Sequence, residues 1–175
     1  GVNTPLSCTF TYVGTFNNVF NSAGAEYSLV QSLQPNQANS VTLNPATPAT
    51  VTSQANAFIA VNHLRDWVRS INPSDGTADF VATANVNLAQ TCNAYYDGSS
   101  INFYAAGGSC PNTGYSTVVA HEAGHWLNDR YSTGNGGDGM GEGNADVFSM
   151  YSYDDPIVGL NFCGSGCHVR NGNNT

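Results

Sequence analysis

The chain has 175 residues, with four arginines, no lysine and twelve carboxylates, for a formal net charge of -8. It is long enough to bury one hydrophobic core, and acidic enough to repel nucleic-acid phosphates and anionic lipid, which are excluded as general partners. No apolar run approaches the roughly 20 residues needed to span a bilayer.

Residues 1–33 alternate short apolar stretches, such as Thr9-Phe10-Thr11-Tyr12-Val13, with Gly and Asn punctuation, which reads as strands. Residues 34–54 are polar and marked by Pro35, Pro45 and Pro48, and read as a connector. Helical spacing begins at Ala55: Phe58, Val61, Asn62, Arg65, Trp67 and Val68 follow one stripe, and Asn72-Pro73 stops it. His63 on this helix reads as a packing residue rather than a ligand, because better ligand candidates lie downstream.

After the Ser74-Asp75-Gly76 turn, Phe80-Val81-Ala82 and residues 84–88 alternate as half-buried strands do. A hairpin follows, with Asn93-Ala94-Tyr95-Tyr96, the turn Asp97-Gly98, and Ile101-Asn102-Phe103-Tyr104. Cys92 and Cys110 bracket it and are expected to form a disulfide, and Cys163 and Cys167 suggest a small ring. Five cysteines cannot all pair within the chain, so one thiol is left over. With the Asn, Ser, Thr and Gly richness and a start at Gly1, this points to a secreted, extracellular protein.

A helix is expected over about 115–131, and it contains His121-Glu122-Ala123-Gly124-His125 among Val118, Val119, Trp126 and Leu127. Histidines four apart share one helix face and can reach one metal ion, with Glu122 set beside them as a base for a metal-bound water. That is the chemistry of a zinc hydrolase. Five glycines between 134 and 141 end this helix, and another starts near Glu142 and runs to Asp154-Asp155-Pro156. Glu142 is the candidate third ligand. Asp146, one turn later, is placed to take the free ring N–H of a ligand histidine. The alternative is that both simply favour a helix N-terminus. The tail beyond 156 reads as loop, and Asn173-Asn174-Thr175 is a glycosylation sequon.

A metzincin would need glycine at 128 and histidine at 131, where this chain has Asn128 and Tyr131. The sequence instead resembles the thermolysin-like zinc peptidases, and more closely the fungalysin-type ones. The resemblance is carried by the His121–His125 motif, Gly139-Met140-Gly141-Glu142-Gly143-Asn144-Ala145-Asp146, Asn56-Ala57-Phe58 with Asn62-His63, and Asn93-Ala94-Tyr95-Tyr96. It runs over about residues 41–170 and is densest over 92–148.

The resemblance implies an α+β, zincin-like fold: an N-terminal mixed sheet, the HExxH helix and a second zinc-binding helix. It implies a secreted zinc endopeptidase of the gluzincin type, with His121, His125 and Glu142 on Zn2+, Glu122 as general base and Asp146 behind His121. Asn93, Ala94 and Tyr95 would hold a peptide or protein substrate as an added strand. Calcium is a second candidate cation, although Thr117 stands where the family carries a calcium-serving carboxylate. His63 is followed by Leu64-Arg65-Asp66, where the fungalysin pattern has an aspartate directly after the histidine.

The expected organisation is one domain in three parts, 1–54, 55–112 and 113–175. It is expected to be incomplete, with a helical C-terminal lobe or a partner chain supplying the oxyanion histidine, a role that His168 is not placed to fill. The competing reading is a zincin-like structural or binding component of an extracellular assembly, without turnover.

Overall fold

The computed structural model describes residues 3–137 and 139–173; of the sequon, only Asn173 lies within them. Its architecture is α+β. In chain order the elements are β1 (Leu6–Thr11), β2 (Asn17–Asn21), β3 (Ser28–Leu33), α1 (Ala49–Ile71), β4 (Ala82–Leu88), β5 (Ala94–Tyr96), β6 (Ile101–Tyr104), α2 (Ser116–Arg130), α3 (Met140–Tyr153), β7 (Ile157–Val158) and β8 (Arg170–Asn171).

The central sheet has the order β2-β4-β6-β5. β2 and β4 run parallel, as do β4 and β6, while β5 returns antiparallel along β6. The turn between β5 and β6 is held by Asp97, whose carboxylate accepts hydrogen bonds from the N–H groups of Ser99 and Ser100. This leaves β5 as an edge strand beside α2. β1 and β3 form a separate antiparallel ribbon.

Alternation along β4 buries Ala82, Ala84 and Val86 against helices, where they meet Ala57, Val61 and Leu64 of α1 and Val119 and Ala123 of α2 in one core. Burying apolar area at about 25 cal/mol per Å2 makes this layer the main source of stability. The expected strand start at Phe80 is not observed, because the chain pairs with β2 only from Ala82 onward. Phe80 instead packs on Trp126, with ring centroids 4.9 Å apart.

α1 begins at Ala49, six residues before the start its apolar spacing suggests. Pro48 precedes it with φ -63° and ψ 143°, and its carbonyl accepts the N–H groups of Val51 and Thr52. The added turn was hidden because its inward face is polar: Ser53 and Gln54 are buried. Ser53 Oγ donates to Asn87 Oδ1 at 2.8 Å, and Gln54 Oε1 accepts the Tyr27 N–H at 2.8 Å. Asn87 adopts φ 60° at a register shift in β4, which turns its amide inward to serve as this partner.

The tail, expected as loop, folds back on the helices. β8 pairs with β7, and the Tyr115 hydroxyl donates to the Leu160 carbonyl at 2.9 Å. Both expected disulfides form, Cys92–Cys110 with Cα atoms 5.3 Å apart and Cys163–Cys167, and Cys8 is the free cysteine. No helix among the described residues is long and apolar enough to cross a membrane.

Candidate metal centre

α2 crosses α3 where Gly124 faces Ala145. A Cβ on Gly124 would lie 2.9 Å from the Ala145 Cα and 3.1 Å from its carbonyl oxygen, so only glycine permits this approach. The close crossing brings the first turn of α3 over the histidine face of α2.

His121 and His125 are buried, 5% and 9% exposed, on one side of α2. Their rings stand at 88° with Nε2 atoms 3.1 Å apart. Glu142 straddles them: Oε2 is 3.3 Å from His121 Nε2, and Oε1 is 3.3 Å from His125 Nε2. A tetrahedral zinc with bonds of about 2.0–2.1 Å spaces its donors by roughly 3.3 Å, so these three side chains fit that ion. Two imidazole nitrogens and one carboxylate do not suit calcium, which takes six to eight oxygens. Thr117 is occupied within the fold, its carbonyl accepting the Ser149 hydroxyl and its Oγ1 accepting the Gly159 N–H.

Glu122 belongs to the same cluster, with His121, Glu122 and His125 donor atoms within 4.8 Å of one another. Glu142 is the carboxylate in direct contact with both imidazoles, which leaves Glu122 beside them as the candidate base. Burial pushes the Glu122 carboxyl up to about 7, partly offset by His121. Burial disfavours charge on His121, but the carboxylates of Asp146 and then Glu142 outweigh it and raise the imidazole to about 9. Glu142 is held down at about 2, first by its contact with His121.

Both histidines are gripped from behind. Asp146 Oδ1 lies 2.8 Å from His121 Nδ1, and Asn135 Oδ1 lies 2.9 Å from His125 Nδ1. Arg170 enters from β8: its Nε is 2.5 Å from Asp146 Oδ2, and its Nη2 is 3.2 Å from Glu142 Oε2 and 3.1 Å from His121 Nε2. Neither Asn135 nor Arg170 was singled out in the sequence. A glycine-rich loop around one asparagine was the only available signal for the first, and no motif marked the second.

His121, Glu122, His125, Asn135, Glu142 and Arg170 line a cleft of about 360 Å3 whose other walls are Asn93, Ala94, Tyr95 and Tyr96 of the β5 edge, together with Val118, Val158, Phe162 and Val169. The three residues expected to hold a peptide therefore lie in the same cleft as the metal candidates. His63 is elsewhere, with Nε2 2.7 Å from the Ser152 carbonyl and its ring against Tyr153, as a packing role requires. His168 is exposed and does not line the cleft.

The arrangement defines a metallopeptidase-like fold. Among solved structures it is similar to the precursor of protealysin, a metalloproteinase from Serratia proteamaculans, with a TM-score of 0.59 at 12% identity, over 93% of this chain and 54% of that one. The chain thus spans about half the length of the structure it matches, and at this identity the likeness is one of fold. No protein-family model matches the sequence, and no curated protein matches it significantly.

Proposed function

We propose that this chain carries the metal site and catalytic base of a secreted zinc-dependent endopeptidase of the zincin type. The observation that carries the reading is the convergence of His121, His125 and Glu142 at mutual separations of 3.1–3.3 Å, beside a buried Glu122 and next to the unpaired edge of β5. Two disulfides support an extracellular setting.

A zinc ion held by these three residues would polarise a carbonyl and lower the pKa of a water. The chain's own groups supply the rest. β5 is paired on one side only, so an extended peptide can add to its free edge, with Asn93, Ala94 and Tyr95 in reach. The backbone of Tyr96 lies beside the Glu122 carboxylate and favours its charged form, which sets the base next to that edge. Glu122 takes the proton of the attacking water and returns it to the leaving amine, a task suited to a carboxyl poised near neutral pH. Asp146 and Asn135 orient the two imidazoles. Arg170, which also lines the cleft, can donate to a carbonyl of the bound peptide.

The test is metal analysis of protein purified without chelator, beside hydrolysis of a quenched peptide. One zinc per chain is expected, and any peptide hydrolysis should be lost on chelation and restored by zinc. Protein that takes up no zinc would remove the proposal.

A further inference from the structure

His125 offers one ring nitrogen to the site. The other, Nδ1, faces Asn135 Oδ1 at 2.9 Å. The surroundings of Asn135 fix which way its amide lies. Nδ2 donates to the His125 carbonyl at 2.9 Å and to the Asp129 carboxylate at 2.8 Å, and both of these groups can only accept. Asn128 Nδ2, which can only donate, meets Oδ1 at 3.1 Å. Oδ1 is thus an acceptor on both sides, and His125 Nδ1 must carry the proton. A neutral imidazole protonated at Nδ1 has its lone pair on Nε2, the atom beside His121 and Glu142.

This position is built by the fold. Asn128 also donates to the Gly141 carbonyl at 2.9 Å, so its one amide joins the glycine loop to the first turn of α3. Gly141 has no space for a side chain: a Cβ there would lie 2.8 Å from the Asn135 Cα and 3.2 Å from its Oδ1. The glycine admits Asn135 to the rear of His125.

We propose that Asn135 is the positioning residue of His125, fixing the Nδ1-protonated tautomer and the ring angle so that Nε2 presents its lone pair to a metal shared with His121 and Glu142. The inference rests on the zinc reading above. The two imidazoles are then set by unlike partners, His121 by the Asp146 carboxylate and His125 by a neutral amide. A glycine-loop residue thereby joins the metal site, although it is not on either ligand-bearing helix.

The experiment compares wild type, Asn135→Leu and Asn135→Asp, measuring zinc affinity by competition with a chromophoric chelator, and thermal stability in parallel. Leucine removes the acceptor. Aspartate keeps an oxygen toward Nδ1 but sets a carboxylate against Asp129 and the His125 carbonyl. Asn135→Leu should weaken zinc binding by about 10- to 100-fold. Asn135→Asp should melt lower than wild type yet bind zinc close to the wild-type level. Unchanged affinity in Asn135→Leu overturns the proposal, and so does an equal loss in Asn135→Asp, since loop stability rather than the acceptor would then govern binding.

Nitrogen NMR of the imidazoles in metal-free wild type gives a readout that needs no variant to fold. His125 Nδ1 is expected to carry a proton facing Asn135 Oδ1, and a ring without a proton on Nδ1 overturns the assignment. Wild type that shows the expected tautomer but binds no zinc would sink the zinc reading itself, and the metal role of Asn135 with it, a failure distinguishable because it appears before any substitution.

Discussion

Glu122 is 6% exposed, and burial lifts its carboxyl to about 7. A buried carboxyl is costly to charge, which suits the proton transfer proposed for Glu122. Glu122→Gln keeps the shape and the Tyr96 contact but cannot accept a proton. It should retain zinc while hydrolysis falls by about 100- to 10,000-fold. Paired metal analysis and peptide kinetics check this, and a variant as fast as wild type would take Glu122 out of the base role. The one-turn spacing of His121 with His125, and of Glu142 with Asp146, could be read in the sequence, since each pair sits on a single helix. Asn135 and Arg170 were not. They meet their histidines across the fold, Arg170 at a separation of 49 residues, and no local period records such a contact.

The crossing of α2 and α3 depends on Gly124. Gly124→Ala would set a methyl 2.9 Å from the Ala145 Cα, backbone that cannot move without shifting α3. The expected cost is about 1–3 kcal/mol, as for other overpacked cores. Zinc affinity should fall with it, because α3 carries Glu142. Gly143→Ala is the control: nothing lies within 4 Å of its Cβ, and alanine favours a helix by about 1 kcal/mol over glycine. Urea unfolding of both variants decides the matter, and a Gly124→Ala protein as stable as Gly143→Ala would show that the helices are not in contact there. The α1 start shows the opposite limit of reading elements from sequence. Val51, Thr50 and Thr52 favour strands, and the buried Ser53 and Gln54 look solvent-facing until Asn87 and Tyr27 supply their partners.

At the scale of the molecule the interior is polar to an unusual degree. Asn17, Asn87, Asn102 and Asn128 are all at most 3% exposed. Asn17 Nδ2 donates to the Ala57 carbonyl at 3.0 Å, so an amide rather than an apolar contact ties β2 to α1. Such networks specify one arrangement but contribute less net stability than apolar area, about 1 kcal/mol per hydrogen bond. The helices α1 and α2 and the strand β4 were legible because their apolar periods survive this dilution, and the fold class came from the family resemblance, while the amide network was not legible, since buried and exposed asparagines look alike in sequence. A polar core raises the weight of covalent closure. Cys92 and Cys110, 18 residues apart, close the β5–β6 hairpin that forms one wall of the cleft. Constraining a loop of this size in the unfolded chain is worth about 3 kcal/mol. For a domain of this length that corresponds to a melting-temperature loss of roughly 6–12 °C in a Cys92→Ala, Cys110→Ala double variant. On the proposed function, β5 would supply the peptide edge while the metal candidates sit on α2 and α3, so zinc affinity should stay near wild type and KM should rise more than kcat falls. Calorimetry, chelator competition and steady-state kinetics on the one variant separate these effects, and a loss of zinc binding equal to the loss of peptide binding would show that the hairpin and the metal centre are not independent.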